Sequence, residues 1–385
     1  LEALESMLRH RRKNPTHPND ELFYELLLQY YTRLREAALS GKFIAAYTVT
    51  LPTEILYAMD IVPMQLEGTA GTLAIVLKNQ DELLSTAKAM GYPPEVCSAH
   101  RTVAAVFSRG WAPRPNVILW SPQVCDNTAK CGDQIMDSYG IPGIFIDRPY
   151  RFTEREVQYL TAEFEEMVAR LEELSGHRLD MDRLRQALEH SARMVELLRE
   201  IYELRRAVPY PTTNRRSNQV QTITWLFQGT ETGVRYVESV RNELRERVAR
   251  GEGYAPNQRH RLIGLFLPPN HAWKLLDWME REHGACIVAE PYSSHWGPWQ
   301  PDFSRPVESL ARKQFICPIC RQMHGPMEEG VVADAVSDAR THGAEGAIYW
   351  AHTGCRQACA TIRATKDALM EQLGIPTLVL DIDLL

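Results

Sequence analysis

Short apolar runs alternate with amphipathic helical stretches along most of the chain, and this alternation restricts the fold more than any other feature. One set of runs covers residues 43–48, 61–66, 116–120 and 143–147. A second set covers residues 261–268, 285–289, 346–350 and 377–381. Apolar runs separated by helices are typical of strands in a parallel sheet that is covered on both faces. The sequence therefore predicts an α/β fold with two lobes.

Between the two sets of runs, the pattern changes to long helices. From residue 153 to about residue 250, apolar residues keep helical spacing and charges occupy the opposite faces. We therefore predict three parts: an N-terminal helix with a first α/β lobe over residues 1–150, a helical segment over residues 151–258, and a second α/β lobe over residues 259–385.

Charge and hydropathy exclude several classes of partner. The net charge of −6 gives no electrostatic footprint for nucleic acid. No apolar run approaches the roughly 20 residues that span a bilayer. The chain begins without a secretion signal, so a cytoplasmic location is expected. Its eight cysteines are then expected to be reduced thiols, metal ligands or catalytic groups rather than disulfides.

Three cysteines occupy positions where a strand or a turn leads into a helix. They are Cys97, Cys125 and Cys355. A helix N-terminus carries partial positive charge, which lowers a thiol pKa and favours the thiolate that binds metal. Two of these cysteines belong to the first lobe and one to the second, so a shared site lies in the cleft between the lobes. Three converging thiolates would hold an iron–sulfur cluster.

The remaining cysteines leave alternatives open. Cys317-Pro318-Ile319-Cys320 is compatible with a redox dithiol, half of a zinc site or additional iron–sulfur ligands. Cys359 follows one helical turn after Cys355, and the spacing of a zinc ribbon is not met. A second or enlarged cluster is therefore favoured over zinc. Two other cysteines are assigned to the protein core or its periphery: Cys131 and Cys286.

Glu54 is the candidate acid–base residue. It lies in a turn that enters a helix, on the same side of the sheet as the cysteines. It is either an acid stabilised by the helix dipole or a proton-transfer group near the cluster. His100, Arg101 and His352 flank the cysteines, where they either contact sulfur or substrate or serve only the structure.

Common nucleotide and hydrolase motifs do not occur. The sequence contains neither Gly-x-x-x-x-Gly-Lys-Ser/Thr nor a Gly-x-Gly-x-x-Gly that follows a strand. It also lacks His-Glu-x-x-His and Gly-x-Ser-x-Gly. We therefore expect no flavin or nicotinamide cofactor, and no ATP bound by a P-loop in this chain.

Several short segments, taken together in their order along the chain, resemble those of a known family. They are Pro52-Thr53-Glu54-Ile55-Leu56-Tyr57-Ala58 with Val62-Pro63, Val96-Cys97-Ser98, Cys125-Asp126-Asn127, Leu171-Glu172-Glu173-Leu174-Ser175-Gly176, and Gly354-Cys355. This set resembles the catalytic subunits of the 2-hydroxyacyl-CoA dehydratase and benzoyl-CoA reductase family, over nearly the whole chain. The resemblance implies two Rossmann-like or flavodoxin-like lobes with parallel sheets plus a helical segment. It also implies one 4Fe–4S cluster held by Cys97, Cys125 and Cys355.

The resemblance further implies an activity and its partners. The substrate would be an acyl-CoA thioester, and the chain would pair with an identical or homologous subunit. A separate ATP-hydrolysing iron–sulfur activator would deliver one low-potential electron. In the dehydratases this electron makes a ketyl radical on the thioester carbonyl, which expels the neighbouring hydroxyl. In the benzoyl-CoA reductases two electrons reduce the aromatic ring. We expect dehydration first and ring reduction second.

The number of cysteines keeps other functions open. Cys317, Cys320 and Cys359 exceed the three ligands of a plain dehydratase subunit, and six cysteines would suit a double-cubane 8Fe–9S cluster. The related double-cubane proteins reduce small molecules. Two alternatives belong to other classes of protein. One is a non-catalytic subunit that relays electrons, and the other is a structural protein stabilised by a zinc site.

Overall fold

Two parallel sheets form the frame of the computed structural model, which describes residues 1–14 and 18–385. The first contains β1 (Ile44–Tyr47), β2 (Val62–Gln65), β3 (Val117–Trp120) and β4 (Gly143–Phe145), in the spatial order β2-β1-β3-β4. The second contains β5 (His260–Leu265), β6 (Ala285–Ala289), β7 (Gly346–His352) and β8 (Thr377–Ile382), in the order β6-β5-β7-β8. All pairings are parallel, which confirms the predicted two-lobed α/β class.

The N-terminal helices cover one face of the first sheet. The helix predicted over about residues 1–40 consists of two helices, whose apolar residues Leu4, Leu8, Phe23 and Leu27 share a core with the first sheet. The helices of this part are α1 (Glu2–Lys13), α2 (Asp20–Leu39), α3 (Thr53–Ala58), α4 (Leu66–Leu77), α5 (Gln80–Ala89), α6 (Ser98–Ser108) and α7 (Asp126–Tyr139). β1, β2 and β3 are buried along their length, as expected for a sheet covered on both faces, whereas β4 at the sheet edge is only partly buried.

The middle of the chain is helical, as its periodicity predicts. The helices are α8 (Glu154–Ser175), α9 (Met181–Leu204), α10 (Arg216–Leu226) and α11 (Glu231–Arg250). Leu160, Phe164 and Leu171 of α8 pack into the core on the second face of the first sheet. No helix in the described parts of the chain is both long enough and apolar enough to cross a membrane.

The C-terminal part returns to the first lobe before it completes the second. Its elements are a 3₁₀ turn (Asn270–Ala272), α12 (Trp273–His283), α13 (Pro291–Ser294), α14 (Pro306–Ile316), α15 (Pro318–Met323), a π turn (Glu328–Val332), α16 (Ala333–Thr341) and α17 (Arg356–Leu373). Leu310 and Phe315 of α14 are buried in the core of the first lobe. One helix from the predicted second lobe therefore belongs to the packing of the first. The boundaries at residues 150 and 258 stay predictions.

A buried polar network joins the helical segment to the second lobe. Asp338, which is fully buried, accepts hydrogen bonds from the Tyr202 hydroxyl at 2.7 Å and from His295 Nδ1 at 2.5 Å. His295 Nε2 lies 3.6 Å from Asp334, and Arg321 pairs with the same carboxylate. The network thus holds α9, α15 and α16 together around one histidine.

This network predicts a pH dependence of stability. Burial opposes protonation of His295, but the hydrogen bond to Asp338 and the charges of Asp338 and Asp334 raise its pKa above the usual value. The histidine's contribution is therefore fully present below about pH 6.5, the pKa of an unfolded histidine, and is lost as pH rises through the folded-state pKa. We expect the urea midpoint of the wild type to fall in that window, and that of His295→Asn to fall less. Equal falls would contradict this.

Candidate functional site

The three predicted cysteines each stand immediately before a helix. Cys97 is the N-cap residue of α6, Cys125 that of α7 and Cys355 that of α17. Cys125 follows the carboxyl end of β3, and Cys355 follows the carboxyl end of β7. All three are free thiols; Cys125 is buried, and the other two are partly exposed. The sequence placement of these residues at helix starts is therefore confirmed.

The two lobes bring these helix starts together through direct contacts. Asn127 Nδ2 donates to the Gly354 carbonyl oxygen at 3.3 Å, and Arg101 pairs with Asp383 at 2.9 Å. A Cβ atom added to Gly354 would lie 2.6 Å from both Cα and N of Cys97. Only glycine permits this approach, so the backbone that carries Cys355 rests on the backbone that carries Cys97.

Gly354→Ala is expected to separate the three thiols. The new methyl group would meet backbone atoms that cannot move away as a flexible side chain can, at a cost of about 1–3 kcal/mol. We expect a lower melting temperature than that of the wild type. Gly297→Ala is the matched control, because its Cβ would only touch the Ile316 side chain at 3.4 Å. An unchanged melting temperature of Gly354→Ala would contradict the close approach.

The three thiols are close enough for their charges to influence one another. Burial raises the pKa of Cys125, and the charges of Cys97 and Cys355 raise it further, while the backbone N–H groups of Thr128 and Asn127 lower it. Burial also raises the pKa of Cys355 to about 12. The expectation that helix N-termini lower these pKa values is therefore wrong for Cys125 and Cys355 without metal. Desolvation outweighs the helix dipole, and a bound metal would reverse the balance by displacing the protons.

Tyr292 lies beside the cysteines of both lobes. It belongs to α13, just beyond the carboxyl end of β6, and is 6% exposed. Burial raises the pKa of its phenol well above the usual value, and the charges of Cys355, Cys125, Cys320 and Cys97 raise it further. The hydroxyl therefore keeps its proton.

Cys317 and Cys320 form a second pair next to the first group. Cys317 is the N-cap of α15, and Cys320 Sγ lies 3.1 Å from the Thr50 hydroxyl oxygen. Burial opposes ionisation of Cys320, but the hydrogen bond with Cys317 and the charge of buried Arg148 lower its pKa. Gln123 Nε2 also donates to the Thr50 hydroxyl at 2.8 Å, so the pair sits in a polar, electropositive part of the interior.

The other three cysteines differ from one another in their surroundings. Cys359 is exposed, and its sulfur donates to the His352 carbonyl oxygen at 3.3 Å. Cys286 is buried inside β6, as predicted for a core residue. Cys131 is also buried, within α7 in the core of the first lobe.

The flanking polar residues have different surroundings. His352 Nε2 is 2.6 Å from the Leu267 carbonyl oxygen, and Arg101 serves the contact between the lobes. His100 is 5% exposed, and neither of its ring nitrogens has a hydrogen-bond partner of good geometry among the described residues. Its Nε2 lies 3.5 Å from Glu67 Oε1. Of the three, His100 is the one whose polar atoms are next to a candidate ligand, Cys97.

The donor chemistry fits a cluster of several irons better than a single ion. Within residues 1–14 and 18–385, no three His, Cys, Asp or Glu side chains are grouped tightly enough to bind one metal ion, as a structural zinc requires. A cubane spreads its thiolate ligands over separate irons. Thiols on three separate helix starts suit that distribution, and thiolates are the ligands that iron–sulfur clusters use.

Glu54 is fully buried among donors. Its Oε1 accepts from the Ser191 hydroxyl at 2.5 Å and pairs with Lys313, and its Oε2 accepts from Gln228 Nε2 at 3.0 Å. The carboxylate thus joins α3, α9 and α14. Its predicted catalytic role stays a prediction.

Comparison with known proteins assigns the chain to a family. Residues 48–385 match the family model described as 2-hydroxyglutaryl-CoA dehydratase, D-component. The chain belongs to the 2-hydroxyglutaryl-CoA dehydratase D-component family. The resemblance inferred from the ordered cysteine motifs is therefore confirmed.

Relatives of this D-component family have names from both reaction types. The chain is 24% identical to a benzoyl-CoA reductase component of Thauera aromatica, over 77% of this chain and 73% of the relative. It is 20% identical to the (R)-phenyllactyl-CoA dehydratase alpha subunit of Clostridium sporogenes, over 90% and 86%. It is 26% identical to the (R)-2-hydroxyisocaproyl-CoA dehydratase alpha subunit of Clostridioides difficile, over 44% and 43%.

The D-component site contains residues that sequence reasoning missed. Tyr292 was detectable, because it follows a buried strand just as Cys125 does, and side chains at that sheet edge are site candidates. Lys313 gives no such signal, because it lies 259 residues from Glu54 and on a helix that sequence assigns to the other lobe.

Proposed function

We propose that this chain is the iron–sulfur subunit of an ATP-driven, low-potential enzyme that acts on acyl-CoA thioesters. The first candidate reaction is the elimination of water from a 2-hydroxyacyl-CoA. The observation that carries the proposal is the meeting of Cys97, Cys125 and Cys355 at three helix starts between the lobes. Membership of the dehydratase family and the two dehydratase alpha subunits among its relatives support the reaction.

In this proposal the three cysteines hold a 4Fe–4S cluster. When bound, the cluster supplies one-electron transfer at low potential. Backbone N–H groups of Asn127 and Thr128 favour the Cys125 thiolate, and those of Gln357 and Ala358 favour the Cys355 thiolate. These donors stabilise negative charge on sulfur in a site that excludes most water.

Other residues of the site bind and orient. The Tyr292 phenol, kept protonated by burial, would donate a hydrogen bond to a substrate oxygen beside the cysteines. Lys313 and Ser191 hold the Glu54 carboxylate in one position, where it would act as the proton acceptor. Burial of the carboxylate between α3, α9 and α14 keeps it out of bulk water.

The proposed partners rest on two observations: this sequence has no P-loop motif, and the relatives are named as subunits. With no P-loop sequence, ATP hydrolysis is assigned to a separate iron–sulfur activator that delivers the electron. The relatives are named as subunits, so a homologous or identical second subunit is proposed for this chain. The location proposed is the cytoplasm, where thiols stay reduced.

The test is an anaerobic turnover assay with product identification. The chain, its second subunit, an activator, ATP and a reductant are incubated with a 2-hydroxyacyl-CoA, and products are identified by mass spectrometry. We expect ATP-dependent formation of the acyl-CoA that has lost one water. Absence of turnover with every acyl-CoA tested, by protein that contains iron and sulfide, would contradict the proposal.

Ring reduction is the second candidate, and the observation that favours it is the similarity to a benzoyl-CoA reductase subunit over 77% of this chain. Benzoyl-CoA in the same assay separates the two reactions, since its product gains hydrogen and loses no water. The double-cubane alternative rests on Cys317 and Cys320, which lie beside the same tyrosine as the three-cysteine group. Cys359 is the exposed member of that six-cysteine set, and its thiol donates to the His352 carbonyl oxygen.

A further inference from the structure

A cavity lies between the helical segment and the second lobe, next to the cysteines. Leu198 of α9 and Val220 of α10 form part of one wall, and Tyr292 and Cys317 form part of the other. Its volume is about 40 Å³. A bound water needs roughly 10–15 Å³ by the same measure, so the cavity has room for about three waters or a short aliphatic chain.

Tyr292 connects this cavity to the thiol site. Tyr292 lines the cavity and belongs to the same buried cluster as Cys125, against which Cys355 packs. Cys317 lines the cavity as well, at the start of α15. The cavity and the thiol site therefore share the tyrosine as a neighbour, and a ligand whose reacting carbon lies at the cysteines would have the cavity beside it.

Each of the two arginines that line the cavity already forms an ion pair with a carboxylate of the protein. Arg205 Nη2 pairs with Glu290 at 2.8 Å, and its Nε donates to the Tyr210 hydroxyl at 2.9 Å. Arg216 Nη2 pairs with Glu243 at 3.3 Å. A carboxylate at the end of a ligand tail would lose its hydration here and find each of these two cations engaged by a protein carboxylate, which is unfavourable.

Two tryptophans limit the length of the tail. Trp225 and Trp296 line the cavity with Ile319, and these large side chains leave the small volume described above. Aromatic and aliphatic walls favour burial of uncharged carbon, at about 25 cal/mol for each Å² removed from water.

We infer that this cavity binds the acyl side chain of the thioester and selects a short, uncharged chain over one that ends in a carboxylate. The inference rests on the proposed acyl-CoA function and adds the class of acyl group to it. A matched pair of ligands tests it, because pentanoyl-CoA and glutaryl-CoA have the same number of acyl carbons and differ in the terminal group.

The experiment is calorimetric titration of the anaerobically purified full chain with its second subunit. We expect pentanoyl-CoA to bind at least about tenfold more tightly than glutaryl-CoA, because the unpaired carboxylate must be desolvated. Ser217→Phe fills the cavity and should weaken pentanoyl-CoA while leaving CoA itself unchanged. Gln221→Arg adds a cation to the lining and should tighten glutaryl-CoA.

Thr222→Arg is the control for the added charge, because it lies on α10 outside the cavity lining. Equal affinities for the two acyl-CoAs, with no effect of Ser217→Phe, would overturn the inference and leave acyl-CoA binding intact. Failure of CoA and of both thioesters to bind would overturn the proposed function and the inference together.

Discussion

Cys125→Ser is expected to reduce the iron content of the anaerobically purified chain from about four atoms to fewer than about one. Cys125 is the buried member of the three-cysteine group, and its charge interacts with both Cys97 and Cys355. A serine hydroxyl is harder and less readily ionised than a thiol, so it is a poor replacement ligand for iron–sulfur clusters. Iron and acid-labile sulfide, with the visible absorbance spectrum, measure the result.

Two control variants test whether the loss of iron is specific to the three-cysteine group. Cys286→Ala removes a buried thiol inside β6, away from the site, and should keep all iron. Cys359→Ala removes the exposed thiol one turn after Cys355 and should also keep it. The double-cubane alternative would be favoured by about eight irons per wild-type chain and by a lower iron content in Cys317→Ser. Full iron in Cys125→Ser would contradict the three-cysteine assignment.

The same variants separate a catalytic subunit from an electron relay. In the proposed function, Cys97→Ala abolishes turnover together with the cluster of this chain. If turnover survives after the cluster is lost from this chain alone, the chemistry belongs to the partner subunit. The site between the lobes would then have another role.

Lys313→Met is expected to destabilise the protein by about 3–5 kcal/mol, because it leaves the buried Glu54 carboxylate without its counter-charge. Lys313 is 2% exposed, and its ammonium also lies 5.8 Å from the centre of the Trp299 ring, so water cannot easily replace it. Urea denaturation measures the change. Lys88→Met, on the exposed face of α5, is the matched control and should change stability little.

A double substitution distinguishes structure from catalysis at Glu54. In Glu54→Gln with Lys313→Met, both charges are gone, so much of the lost stability should return. If Glu54 also transfers protons, activity stays low in this stable double variant. Recovery of both stability and activity would show that the carboxylate only holds α3, α9 and α14 together.

The sheets were predictable because the local pattern agrees with the tertiary surroundings. The apolar run at residues 116–120 became β3, and the run at residues 285–289 became β6 with the same limits. The helix α14 shows where such reasoning ends. Its apolar face packs on the first lobe although the chain around it builds the second, and no local pattern states which sheet a helix will cover.

The candidate site likewise has features that the sequence predicts and features that it does not. Three cysteines at helix starts were visible, since strand ends and helix starts can be read from periodicity. Their pKa values could not be read, because desolvation depends on burial by both lobes. The contact of Glu54 with Lys313 was also hidden, since it joins residues that only the folded chain brings together.

The backbone of Gly354 packs directly against the backbone of Cys97, so the two lobes are in close contact at the place where metal would bind. In the proposed function, ligands from both sheets mean that a cluster would cross-link the lobes. Its insertion would then be a late step of maturation, following the formation and contact of both sheets. Oxidative destruction of the cluster would remove that cross-link, so the damaged protein would become more open to proteases than the intact one.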